Sequence, residues 1–214
     1  MFIELTDHLR CPADHPEQFL VLMPAKMTGR QVEAGTLGCP VCHRSYPIEH
    51  GVALFGSTEH TDVIDDADVA EREQPAALDA SALVALLGLG SPGGYVVLVG
   101  MFGALAAKLA EELPGVALVL VNADAQTDDL PFASAVRAPT IPLKTASMRG
   151  VALGPRFASD PAWVAAAVRV VLPGNRVVGQ GTEPEQRDLE IAASADGCWV
   201  GVRARGGYPA ATSE

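Results

Sequence analysis

Four side chains near the start of the chain have the types and spacing of a structural metal site. Cys39 and Cys42 form a Cys-x-x-Cys pair, and Cys11 lies in an earlier loop. Two residues between thiolates let the backbone curl so that both sulfurs reach one tetrahedral ion at about 2.3 Å. The fourth ligand is either His15, which gives a Cys3His set, or Asp14, which stands where a second Cys-x-x-Cys would be completed. We predict zinc held by Cys11, His15, Cys39 and Cys42, with Asp14 as the alternative to His15.

Two other interpretations of these cysteines stay open. In one, the metal has been lost and hydrophobic strands alone maintain the fold. In the other, Cys39-x-x-Cys42 is a redox motif, which is less favoured because such a motif opens a helix after a strand. The start of the chain lacks the basic segment and apolar run of a secretory signal, so we expect a cytoplasmic protein. Cysteines in that compartment are more often metal ligands or free thiols than disulfides.

Short strands must position these ligands. Residues 19–23 and 31–37 are rich in apolar and β-branched residues, with a turn at 27–29 between them. Residues 45–54 have the pattern of two further short strands around a turn at His50-Gly51. The first 56 residues are therefore predicted to form a small β-rich unit.

Residues 3–56 resemble a known family of small zinc ribbons. The motifs that carry the resemblance are Leu5-x-x-x-Leu9-x-Cys11-Pro12, Leu37-x-Cys39-x-x-Cys42 and Tyr46-Pro47-Ile48-x-x-Gly51-Val52. They are similar to ribbons that activate tRNA and protein methyltransferases, and to ribbons fused ahead of bacterial methyltransferase domains. The resemblance implies a zinc-ribbon domain whose aromatic and aliphatic side chains close a small core beside the metal.

A second candidate site lies at the turn of a strand-turn-helix segment over residues 95–113. Five apolar residues from Tyr95 to Val99 predict a buried parallel strand, and Gly100 and Gly103 bracket the turn. Such a turn in an open α/β sheet is where nucleotides usually bind. Strands and helices alternate after it and predict a mainly parallel sheet. Near the end, residues 173–175 predict a turn and residues 183–190 a short helix.

The order of elements from residue 78 onward resembles a class I S-adenosylmethionine-dependent methyltransferase. Residues 97–100, 142–151 and 165–178 carry this resemblance. It implies an α/β fold with a short, doubly wound, mainly parallel sheet of the Rossmann-like, methyltransferase type, preceded by the β-rich zinc ribbon. The cofactor-binding positions that it implies for S-adenosylmethionine are Gly100, Phe102, Gly103, Asn122 and Asp124.

Four positions depart from the family's pattern. Leu98 replaces an acidic residue of the first strand, and Phe102 stands where a small glycine belongs. Asn122 replaces the acid that would hold the ribose hydroxyls, and Arg149 replaces an aspartate near the fourth strand. Since glycines let the backbone approach a ligand, Phe102 would fill part of that space. We therefore expect a noncatalytic, methyltransferase-like binding or scaffold module, with an active methyltransferase of unknown substrate as the alternative.

Charge and composition limit the partners. The formal net charge of −11 disfavours nonspecific binding to nucleic acid or to anionic membranes. Residues 61–74 contain six acidic residues and one base, so we predict an acidic linker over 57–77 between a ribbon over 1–56 and a methyltransferase-like domain over 78–214. No apolar run reaches membrane-spanning length. Small residues on the helices and a truncated sheet predict a protein partner or self-association.

Overall fold

One large sheet organises the chain. The structure, a computed structural model, describes residues 1–56, 78–123, 130 and 132–205. Its strands in chain order are β1 (Val21–Thr28), β2 (Gln31–Gly38), β3 (Ser45–Glu49), β4 (Val52–Leu54), β5 (Tyr95–Val99), β6 (Ala117–Val121), β7 (Ala133–Arg137), β8 (Met148–Leu153), β9 (Val171–Gln180), β10 (Leu189–Ala195) and β11 (Cys198–Arg203). All eleven belong to one sheet in the order β1-β2-β3-β4-β7-β6-β5-β8-β9-β11-β10. The prediction of a short sheet is therefore wrong, because the first four strands of the chain join it.

Helices cover the two faces of this sheet. They are α1 (Ala80–Leu87), α2 (Ala106–Glu112), α3 (Pro155–Ala158) and α4 (Pro161–Val170), with 3-10 helices at Ile3–Asp7 and Gly100–Leu105. Asp79 caps α1 by accepting from the Ala82 N–H, and Gly88 ends it in the left-handed conformation. Asp160 caps α4 in the same way. None of the helices in the described part of the chain is long and apolar enough to cross a membrane.

Two sequence predictions near the carboxyl terminus are wrong. Residues 173–175 do not end a strand, because β9 runs through them with Gly174 at a φ of +83°. Residues 183–190 form no helix, and β10 begins at Leu189. Met148 pairs with Val171 and Gly150 with Arg176, so residues 172–175 bulge out of the pairing with β8, and a local pattern cannot distinguish such a bulge from a turn.

The parallel centre of the sheet is doubly wound. Strands β7, β6, β5, β8 and β9 run parallel, and the chain order reverses between β5 and β8. Strands β11 and β10 follow at the far side, with β11 antiparallel to β9. In open α/β sheets, ligands bind beyond the carboxyl ends of the strands at the point where the order reverses. The carboxyl edge near Val99 and Leu153 is therefore where a cofactor site is expected.

The ribbon strands join this centre through β4. Strand β4 pairs parallel with β7, with Val52 opposite Ala135, and the Phe55 N–H donates to the Arg137 carbonyl at 2.7 Å. Residues 8–10 also run against residues 142–144, where Leu9 forms a bridge with Leu143.

A single hydrophobic cluster underlies both parts. It contains Leu5, Leu9 and Ile48 of the first 56 residues together with Val97 and Val99 of β5. Full burial of a leucine or isoleucine contributes about 1.5 to 3 kcal/mol to stability. Among the described residues, the first 56 residues and the parallel strands are thus stabilised by the same core.

The opposite face of the sheet has its own core beneath α1 and α2. Leu98 lies there with Leu83 and Leu109, and all three side chains are fully buried. An acidic residue, which the resemblance noted above would place at position 98, does not suit these surroundings. A carboxylate among these leucines would be desolvated without a partner.

Glu17 ties the loop after Cys11 to the other half of the chain. Its carboxylate accepts from the Thr145 backbone N–H at 2.9 Å and from the Thr145 hydroxyl at 2.6 Å. Arg10 and Arg169 lie 3.6 and 3.5 Å from it. Partial burial acts to raise the pKa of Glu17, but the Thr145 donors and the two guanidiniums outweigh it and lower that pKa.

The lowered pKa of Glu17 predicts an acid-sensitive contribution to stability. A carboxyl whose pKa is depressed in the folded state stabilises the fold above its unfolded pKa of about 4.3, and this contribution is lost as the pH falls through the folded pKa. We expect Glu17→Gln to lower the free energy of unfolding by about 1 kcal/mol at neutral pH, since the carboxylate is partly exposed. Denaturant unfolding of both proteins at neutral and acidic pH measures the difference. A difference that does not shrink in acid would contradict this account.

Candidate metal centre and carboxyl-edge site

The four predicted metal ligands lie together. The ligand atoms of Cys11, His15, Cys39 and Cys42 are all within 4.8 Å of one another. The Cys11 and Cys42 sulfurs are 3.6 Å apart, and the Cys39 sulfur is 3.5 Å from His15 Nε2. Ligands at zinc distances on a tetrahedron are separated by about 3.5 to 3.8 Å. The donor set and its spacing therefore fit one tetrahedral ion, and Asp14 is not part of this cluster.

The turn after β2 prepares the thiol of Cys39. The backbone N–H groups of Cys42 and Val41 donate to its sulfur. The turn is closed by a hydrogen bond from the His43 N–H to the Cys39 carbonyl at 3.0 Å. Burial acts to raise the pKa of Cys39, but these donors and the neighbouring thiols lower it to about 6. His43 has a φ of +60°, so the turn requires the left-handed conformation at that position. A thiolate ready to ligate a cation is the chemical consequence.

His15 is oriented by its own neighbour. Its Nδ1 lies 2.8 Å from the Pro16 carbonyl, so Nδ1 carries the proton and donates it there. Nε2 is then the free lone pair, and it faces the Cys39 sulfur. Metal-bound histidines are held in this way by a hydrogen bond from the second ring nitrogen. The imidazole is thus presented as the fourth ligand of the cluster.

Tyr46 is a part of the metal centre that ligand spacing did not reveal. Its hydroxyl donates to the Cys11 sulfur at 3.2 Å, and its ring packs against Phe55 with centroids 4.8 Å apart. Burial raises the pKa of Cys11, and the Tyr46 hydrogen bond acts against that rise. The Tyr-Pro-Ile motif pointed to Tyr46 only as a core residue.

At the carboxyl edge of β5, Phe157 packs over Gly100. Gly100 has a φ of +63°, and a Cβ built there would lie 2.6 Å from Cε2 of the Phe157 ring. Trp163 meets the same ring edge-on at 4.6 Å, and the Arg156 guanidinium lies 5.8 Å from its centroid. The glycine that would let a ligand approach the backbone is therefore covered by a side chain from α3. No motif in the sequence singled out Phe157.

Asn122 uses its whole amide to fasten the ends of two strands. Its Nδ2 donates to the Ala138 carbonyl at 2.7 Å, and its Oδ1 accepts from the Ala138 N–H at 2.9 Å. It follows β6 directly and has a φ of +50°, which asparagine tolerates better than most residues. The carboxylate of an aspartate could accept from Ala138 but could not donate to it.

The other predicted cofactor positions are distributed as follows. Phe102 and Gly103 are buried in the 3-10 helix after β5, and Phe102 packs in the core under α1 and α2. Asp124 lies outside the described residues. Arg149 lies at the amino end of β8, where its guanidinium donates to the carbonyls of Ser91 and Gly93, both at 2.6 Å. Arg149 is thus at the opposite end of the strand from the carboxyl edge.

Comparisons with known proteins return methyltransferases among solved structures. No family model matches the chain, and no curated protein matches it. A SAM-dependent methyltransferase from Aquifex aeolicus is 14% identical with a TM-score of 0.47, over 63% of this chain and 95% of that one. Phosphoethanolamine N-methyltransferase 2 from Haemonchus contortus is 15% identical with a TM-score of 0.39, over 50% and 30%.

A third similar structure contains a methyltransferase activator. It is a Haloferax volcanii complex that includes the Trm112 activator, 17% identical with a TM-score of 0.38, over 54% of this chain and 55% of that one. For three of the similar methyltransferase structures, the part that matches this chain is only 30% to 44% of their own length.

The cluster predicts that His15, not Asp14, completes the metal site. We expect His15→Ala to weaken zinc binding at least tenfold, because a tetrahedral ion loses a ligand, while Asp14→Ala leaves the affinity within about twofold. Competition with a chromophoric chelator measures both, and the cobalt(II) spectrum reports the ligand number. Equal losses in the two variants, or a greater loss for Asp14→Ala, would contradict the assignment.

Asn122 is predicted to be structurally costly to replace. Asn122→Ala removes two hydrogen bonds. It also leaves an alanine at a positive φ, which alanine tolerates less well than asparagine. We therefore expect a loss of about 2 to 3 kcal/mol in the free energy of unfolding. Asn175→Ala is the matched control, because within the described part of the chain the Asn175 amide makes one hydrogen bond, to the Arg149 carbonyl. Denaturant unfolding compares them. If Asn122→Ala lowers the free energy of unfolding no more than the control does, Asn122 does not fasten the ends of β6 and β7.

Proposed function

We propose that this chain is a methyltransferase-like, noncatalytic binding or scaffold module. The observation that carries the proposal is the Phe157 ring packed over Gly100, at the place where a doubly wound sheet approaches its ligand. The amide of Asn122, which would meet the ribose, is already paired with Ala138. Both groups that would face a nucleotide are thus engaged by the protein itself. Fold does not determine function, and an occupied edge favours a binding role over methyl transfer.

We further propose that Cys11, His15, Cys39 and Cys42 hold zinc in a structural role. Four protein ligands leave no open position for a substrate or an activated water, which is the arrangement of structural zinc sites. When bound, zinc would cross-link the loops of the ribbon and would take no part in chemistry at the carboxyl edge. The Tyr46 hydroxyl would hold the Cys11 thiolate in place.

The ribbon then serves as a cover for the sheet in the same chain. Strand β4 pairs with β7 and occupies the edge that a methyltransferase-like sheet would otherwise expose. This supports a role for residues 1–56 like that of the activator ribbons they resemble. The division into a ribbon over 1–56, a linker over 57–77 and a domain over 78–214 stays a prediction, as do the cytoplasmic location and the protein partner or self-association.

Calorimetry with S-adenosylmethionine tests the noncatalytic proposal. We expect no binding heat at millimolar cofactor for the wild-type chain, because Phe157 covers Gly100. Phe157→Ala, which empties this position, is compared with Leu83→Ala, which removes a fully buried side chain from the core on the other face. Cofactor binding gained by Phe157→Ala alone would show that this ring closes the site. A wild-type dissociation constant in the micromolar range or tighter would overturn the proposal and favour an active methyltransferase.

A further inference from the structure

A cleft of about 570 Å³ lies between the ribbon and the parallel sheet. It opens at the carboxyl ends of β4 and β7, because Phe55 and Gly56 follow β4 and Pro139 and Thr140 come shortly after β7. Its volume is in the range that holds small ligands. This cleft is distinct from the edge of β5 and β8, where Phe157 packs, so it is a second place where the chain offers a site.

The inner wall of the cleft is aromatic and rigid. Tyr46 and Phe55 are both buried, and their rings lie against each other at an interplanar angle of 33°. Pro12 and Pro139 add two further apolar rings that lose no rotamer freedom on binding. A wall of this kind matches the flat face of an aromatic ligand, because ring faces and edges pack favourably against other rings.

Unused hydrogen-bonding groups also line the cleft. No hydrogen bond or ion pair of the described residues uses the Arg44 guanidinium, although the chain has a net charge of −11. The hydroxyls of Ser45 and Thr140 likewise make no hydrogen bond within the described part of the chain. A planar guanidinium matches the paired oxygens of a carboxylate or a phosphate, and hydroxyls can donate to the same oxygens.

We propose that this cleft binds a small aromatic molecule that carries an oxyanion. The ring of the ligand lies against Tyr46 and Phe55, and its carboxylate or phosphate pairs with Arg44. The site is formed only where the ribbon meets the sheet, since Arg44 comes from one side and Thr140 from the other. Its ligand therefore contacts both halves of the chain.

The test uses the full chain, labelled with nitrogen-15, and three probes that share one ring system. β-Naphthoate carries a carboxylate, β-naphthyl phosphate a phosphate, and β-naphthamide no charge. We expect one or both anions to shift the backbone amide signals of Ser45, Gly56 and Thr140. The neutral probe, β-naphthamide, should bind at least tenfold more weakly. The stronger anion tells a carboxylate ligand from a phosphate ligand.

Two arginine variants separate a built site from general charge. Arg44→Gln should lower the affinity for the anionic probe at least tenfold. Arg137→Gln removes an exposed cation at the end of β7 that does not line the cleft, and it should leave the affinity unchanged. The amide spectra also show that both variants are folded. The proposal is overturned if neither anion shifts these signals at about 10 mM, if the neutral probe binds equally well, or if both variants weaken binding alike.

Discussion

The pairing of β4 with β7 is the contact on which the rest of this structure depends. A parallel sheet that ended at β7 would expose a row of unpaired N–H and C=O groups, and such edges attract other chains. Strand β4 satisfies those groups from within the chain, and Leu5, Leu9 and Ile48 extend the core beneath it. The Cys/His cluster that could hold a metal lies beyond this junction, where Cys39 and Cys42 bracket the turn between β2 and β3. Ligation there would hold together the strands that carry β4 to the sheet.

The same sheet has two carboxyl-edge regions of opposite character. At the ends of β5, β6 and β7, the protein's own side chains are engaged, with Phe157 over Gly100 after β5 and Asn122 after β6 bound to Ala138 after β7. Between β4 and β7, an aromatic wall and the unused Arg44 guanidinium leave a cleft. One edge region is therefore filled by the protein's own side chains, and the other is open.

Much of the local structure follows from residue patterns. The Cys-x-x-Cys spacing and the earlier Cys11 identified three of the clustered side chains, and Asp79 and Gly88 set the limits of α1 as capping rules require. Patterns failed where distant residues decide the outcome. Gly174 looks like a turn in isolation but lies in a bulge inside β9, between the pairs that Val171 and Arg176 make with β8. Phe157 has no local signature, since its importance comes only from the glycine that it covers.

The sequence by itself determined the ligand types, the alternation of strands and helices, and the departures at Leu98 and Asn122. Those properties are local, because periodicity, capping and ligand spacing act over a few residues. Only the tertiary structure brought His15, rather than Asp14, beside the three thiols, since that depends on where Nε2 points. Only the tertiary structure joined the amino-terminal strands to the parallel sheet, because β4 and β7 are separated by about eighty residues of sequence and register across such a distance is set by packing.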